Sequence, residues 1–149
     1  MATQLATERG LQLAVESPHR GTLAEHPSQT ATLLDRADPD VGVDLDTAHI
    51  FNSGCPVNAV LTLLGHRLSH VAIRDCKPDG TSCVPGDGAF DFQGLVVGLR
   101  QLEYSGDLVI ELETPGTDDP NEIMKDAQRT ERLLAALLDE HWDESTEDT

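Results

Sequence analysis

Aliphatic residues recur every second position in four short stretches, and each is followed by a stretch with helical spacing. In Leu11–Glu16, Leu11, Leu13 and Val15 share one face, and Gln12, Ala14 and Glu16 the other. In Val41–Asp46, Val43 and Leu45 oppose Gly42, Asp44 and Asp46. Leu68–Arg74 sets Val71 and Ile73 against His70, Ala72 and Arg74. Leu108–Glu113 sets Leu108, Ile110 and Leu112 against Val109, Glu111 and Glu113. The spacing predicts helices over Pro27–Ala37, Pro56–Leu64 with Gly65 as its stop, and Phe92–Leu102 capped by Asp91. A last helix starts near Pro120, capped by Asp119, with Ile123, Ala127, Leu134, Leu137 and Leu138 inward. Leu5, Ala6 and Gly10 read as the end of a preceding helix, so the chain opens inside a repeating βα pattern. This alternation predicts parallel strands joined by crossover helices.

The phase of the strands separates two α/β architectures. A flat doubly wound sheet needs two apolar faces. Here each strand has one aliphatic face and one mixed face, as in a (β/α) barrel of TIM type, whose chemistry lies at the C-terminal rim. The mixed-face rim positions are Glu16, Asp46, Ala72 or Arg74, and Glu111. Converging carboxylates repel unless a cation or shared protons relieve them. With an imidazole they suit Mn²⁺, Mg²⁺, Co²⁺ or Zn²⁺.

Composition narrows the partners. With 27 acidic and 10 basic residues among 149, the formal charge is −17, which excludes nucleic acid and anionic membranes as partners. Lysine occurs only at Lys77 and Lys125, an acidic, lysine-poor style expected of a salt-accumulating halophile. No run of about 20 apolar residues is present, nor a signal-peptide core. Cys55, Cys76 and Cys83 lack a disulfide-framework spacing and read as loop thiols, so a cytoplasmic location is expected.

The stretches LAVESPHRGTLAEHP, VGVDLDTAH, LSHVAIRD, VPGDGAFDF and GDLVIELE resemble, in this order, the C-terminal half of the xylose isomerase-like TIM-barrel superfamily. The resemblance covers roughly residues 5–140 and makes residues 1–140 the last four βα units of a barrel, a half-barrel, with 141–149 an acidic disordered tail. Sugar phosphate isomerases/epimerases, ketose 3-epimerases, inosose dehydratases and type IV apurinic endonucleases belong to that superfamily. It implies divalent-metal-assisted proton transfer through an enediolate on a small sugar or sugar phosphate. Glu16 and Glu111 would serve as catalytic base and acid, and Glu16, Asp46 and Glu111 as metal ligands. His49 would contact substrate, and His19 would line the mouth. Arg74 would bind an anionic substrate group or pair with Asp46. The family's metal-binding imidazole position holds Ala72, which implies weak metal binding. His70, two residues back, reads as an interior histidine, Asp75 as a support for the following loop, and Glu113 as solvent-exposed.

Four strands are half of a closed barrel. The enzyme reading therefore competes with a truncated or degenerate, non-catalytic half-barrel that acts through assembly with a partner. Either a homodimer or a separately supplied N-terminal half would cover the inner face and both strand edges. An apurinic endonuclease would need more histidine ligands and a basic surface.

Overall fold

The computed structural model describes residues 2–16, 18–113 and 117–142. It runs α1 (Ala2–Thr7), β1 (Leu13–Glu16), α2 (Pro27–Arg36), β2 (Val41–Asp46), α3 (Thr47–Asn52), α4 (Val57–Leu64), β3 (Leu68–Ile73), β4 (Asp75–Cys76), β5 (Ser82–Cys83), α5 (Phe92–Gln101), β6 (Leu108–Ile110) and α6 (Pro120–His141). A 3₁₀ turn, Gly65–Arg67, joins α4 to β3. Strands β1-β2-β3-β6 form one parallel sheet in that order, the partial barrel the strand phase predicts.

The aliphatic strand face and the helices bury each other. Val43, Leu45, Val71 and Ile73 pack with Leu34, Ile50, Val60, Leu61, Leu64, Leu95, Leu99 and Leu134 into one core. The capping residues act as the sequence predicts: Asp91 accepts from Gly94 N and Asp119 from Asn121 N. Pro27 opens α2, and its N-cap is His26, with Gln29 completing a capping box. Gly10 sits in the left-handed region (φ +66°) just past α1, the stop expected of it.

Several expectations need correction. β1 begins at Leu13, because Leu11 is 64% exposed and finds no core. Gly65 does stop α4, as expected, but from a right-handed conformation (φ −59°), and its missing Cβ makes room for Leu102. Leu102 lies just past α5 rather than on its inner face. Ile123 is exposed, so α6 joins the core only from Thr130 and Leu134 onward. The stretch after β3 is not a plain loop: Asp75–Cys76 and Ser82–Cys83 pair antiparallel. His141 still belongs to α6 and Trp142 packs against the core, so the expected tail does not start at 141. Residues 143–149 lie outside the described residues.

Two features of the sheet position the site. The register slips between Val43 and Asp44, so Val43 pairs with Leu68 but Asp44 pairs with His70. Ser69 is the extra residue; its hydroxyl donates to Val43 O (3.2 Å), and its side chain fills the space a Cβ on Gly42 would need. The bulge sets Asp44 opposite His70 and Asp46 opposite Ala72 on the inner face. Asp75 anchors the loop above the rim, as expected of it. Buried at 2% exposure, its two oxygens accept from Cys76 N, Phe90 N, Gly86 N and Gly88 N at 2.8–3.1 Å. Beside it, burial foremost and Asp75's charge next push the Cys76 thiol up to about 11.

Among the described residues, the outer edges of β1 and β6 carry no partner strand. The inner face is open: Val109 is 43% exposed.

Candidate active site at the strand rim

Asp46 ends β2 and caps α3, and both of its oxygens are engaged. Oδ1 accepts from His49 N at 2.9 Å, which turns the chain directly from strand into helix and fixes where His49 stands. Oδ2 accepts from an Arg74 terminal nitrogen at 3.0 Å. Asp46 is 1% exposed, and the Arg74 side chain 11%. Thr47, fully buried, fastens the same corner: its hydroxyl donates to Arg74 O (2.6 Å) and accepts from Arg74 N (2.7 Å). The second terminal nitrogen of Arg74 pairs with Glu113. Burial pulls the guanidinium's pKa down, but Asp46 first, then Glu113 and Glu111, more than offset this, so it is raised. Of the two uses the sequence left open for Arg74, the structure shows the pairing with Asp46.

Glu16 and His49 meet on the other side of Asp46. His49 Nε2 lies 3.0 Å from Glu16 Oε1 and 4.0 Å from Asp46 Oδ2. His19 stacks on His49, with centroids 3.9 Å apart and planes at 24°. A tight turn holds His19: its N–H donates to Ala24 O, and its carbonyl accepts from Thr22 Oγ1. One ligand atom each from Glu16, His19 and His49 falls within 4.8 Å of the other two. Asp46 and Glu111 are not members of that group.

Glu111 follows β6, and its N–H continues the ladder to Ile73 O at 3.1 Å. Its carboxyl is raised above the ordinary value. Lost hydration at the crowded rim is the largest cause; Asp46, Glu113 and Glu16 add to it, and Arg74 opposes. Glu113 is exposed as expected, yet it is a partner of Arg74. His70 pairs with Asp44 (Nδ1–Oδ1 2.6 Å), so it is the interior histidine the spacing suggests.

The four-ligand set implied by the resemblance does not fit a divalent cation here. Ala72, directly opposite Asp46, offers no donor, and Asp46 is committed to a helix cap and a buried guanidinium.

Sequence reasoning missed α3 and Glu113's contact. The D-T-A-H run carried a signal for the first, since an Asp three residues before a histidine N–H is an N-cap spacing. Nothing in the strand phase indicates that Arg74 reaches both Asp46 and Glu113.

Comparison with known proteins places these features. A family profile described as "Xylose isomerase-like TIM barrel" matches residues 2–135. The inosose dehydratase of Glaesserella parasuis serovar 5 (strain SH0165) is 28% identical over 156 aligned positions, covering 90% of this chain and 52% of that protein. A xylose isomerase domain protein from Planctomyces limnophilus superposes with a TM-score of 0.77 at 20% identity, over 93% of this chain and 51% of the other. A D-allulose 3-epimerase from Methylomonas sp. gives 0.74 at 19%, over 91% and 52%. The two structures testify to the fold alone. The chain spans about half the length of the curated relatives it matches.

The raised Glu111 carboxyl makes a pH prediction. A carboxyl that holds its proton more tightly when folded stabilises the fold below its unfolded pKa, and that stability is lost as pH rises through the folded value. In urea titrations, the wild-type chain should lose stability relative to Glu111→Gln as pH rises from the ordinary carboxyl range through the raised value of Glu111. Parallel pH profiles for the two would contradict the assignment.

Proposed function

The chain belongs to the xylose isomerase-like TIM barrel family, and on that premise we propose that its rim transfers a proton beside the carbonyl of a small polyhydroxy ketone, through an enediolate. Sugars, sugar phosphates and inososes are of this class, and the inosose dehydratase relative supports the choice. The observation that carries the reading is Glu111, a strand-end carboxyl with raised proton affinity in a ring with Asp46, Glu113 and Glu16.

A group that both takes and returns a proton works best when its pKa lies near the working pH, and an ordinary carboxylate is too weak a base. Lost hydration first, and neighbouring carboxylates second, move Glu111 in the required direction. It takes the proton from carbon, the C–H electron pair becomes the enediolate double bond, and the carbonyl oxygen gains the charge. Return of the proton to the other face gives an epimer; return to the neighbouring carbon gives an isomer; loss of the adjacent hydroxyl gives a dehydration product. Glu16 is the opposing carboxylate. Its neighbour His49, whose half-buried ring brings Nε2 to 3.0 Å from the carboxylate, is placed to bind a substrate hydroxyl, and His19 closes the mouth beside it. Arg74 acts as a positioning residue: it pairs with Asp46, and Asp46 holds the start of α3 and therefore His49.

A second reading is favoured by Ala72 and by the two open strand edges: a non-catalytic half-barrel whose role is assembly, with a second copy or with a separate N-terminal half. Unpaired edges are satisfied by pairing.

Hydrogen exchange separates the two. The full chain in D₂O with an inosose or D-allulose should speed loss of the C–H signal beside the carbonyl, and Glu111→Gln should slow it by about 10²-fold or more. Equal rates in both proteins would refute the role of Glu111, and no exchange above buffer would favour the assembly reading. Assembly itself is read by sedimentation. At −17 per chain, self-repulsion opposes pairing, so association should strengthen from low to molar salt. A cooperatively unfolding 16.1 kDa monomer at both salts would contradict it.

A further inference from the structure

The rim has more negative charge than Arg74 can balance. Asp46, Glu113 and Glu111 gather around one guanidinium, and Glu16 faces the opposite way, toward two imidazoles. Those imidazoles stand outside the family's ligand pattern, and the proton-transfer reading gives them substrate contacts only, which leaves their closeness to Glu16 and to each other without a use.

The separations suit ligands of one ion. Donors bound at about 2.1 Å to a common cation stand about 3.0–3.4 Å apart when adjacent. His49 Nε2 and Glu16 Oε1 are 3.0 Å apart. All three donors of the Glu16–His19–His49 group lie within 4.8 Å of one another. Each comes from a separate support: Glu16 from the end of β1, His19 from the hydrogen-bonded turn after it, and His49 from α3. Stacking keeps the two rings nearly parallel. Glu16 is 47% exposed, so further coordination positions would be open to water or substrate.

We propose that Glu16, His19 and His49 form a divalent-metal centre displaced from the family's ligand set, one that takes zinc- or cobalt-like cations. Two imidazoles and one carboxylate favour borderline-soft transition metals over Mg²⁺ or Ca²⁺. The displacement follows from the residues at four rim positions. Ala72 removes the imidazole beside Asp46, Arg74 occupies Asp46, and His19 with His49 supplies nitrogen donors one step around the rim. The inference does not depend on turnover, so its failure and the failure of the proton-transfer reading are separate results.

The test is Co²⁺ and Zn²⁺ binding to the untagged full chain, followed by visible absorption and calorimetry. The wild-type chain should bind one ion, with the visible bands of a low-coordinate cobalt site. His19→Ala and Glu16→Gln should each weaken binding by at least about tenfold. Glu111→Gln should change it by less than about twofold, as should His26→Ala, which removes the separate His26–Cys55 contact. Variants are matched to wild type by circular dichroism first. Pulsed electron paramagnetic resonance of the Cu²⁺-loaded wild type, which needs no variant, should report two imidazole nitrogens. No binding at millimolar metal would overturn the proposal. So would an affinity indifferent to His19→Ala, or one lost in Glu111→Gln and Asp46→Asn instead.

Discussion

A buried aspartate with both oxygens committed governs the arrangement of this rim. Asp46 is almost fully enclosed, and an ionised carboxylate in that position needs partners for its charge. It finds the first backbone donor available in α3 and the guanidinium of Arg74. The cap starts a helix directly at the strand's end and sets His49 over Glu16. The ion pair draws Arg74 across the inner face, where its other end meets Glu113. Thr47 locks the same corner through the Arg74 backbone. The site is thus organised by an internal cation where the family's pattern has a metal–imidazole pair.

Much of this was legible in the strands. Alternation of Leu13 and Val15, Val43 and Leu45, and Val71 and Ile73 told which face meets helices, because side-chain direction repeats every two residues. The same phase put Glu16, Asp46 and Glu111 on the inner face at the rim. Phase gives direction, however, and not height. The bulge at Ser69 shifts one strand against its neighbour, and it depends on a hydroxyl reaching a carbonyl across the sheet. Glu16, in turn, stands opposite Asp44 and not Asp46, and it joins His19 and His49 rather than Asp46 and Glu111. α3 escaped detection because six residues are too few to show a helical period. His19 was visible only as a polar residue near Glu16; its stacking on His49 is a product of the turn that follows β1.

The open sheet bears on chemistry as well as on assembly. In a closed barrel the inner face is dry, and charges placed there act strongly on one another. Here Val109 and the His70–Asp44 pair, all on the inner face, are open to solvent. A covering half would exclude water, deepen the loss of hydration and the repulsion that raise Glu111, and tighten any cation site at Glu16. Covering the edges and tuning the rim are therefore one physical event.

The claim beneath all of this is that Asp46 and Arg74 hold the rim through a direct buried interaction. A double-mutant cycle measures it without reference to activity. Asp46→Asn keeps a capping oxygen for His49 N while removing the charge, and Arg74→Gln removes the guanidinium; each single variant and the pair are unfolded in urea. A coupling energy of about 2 kcal/mol is predicted, within the range for partners in one buried network. Additive effects, with a coupling below about 0.5 kcal/mol, would contradict the account.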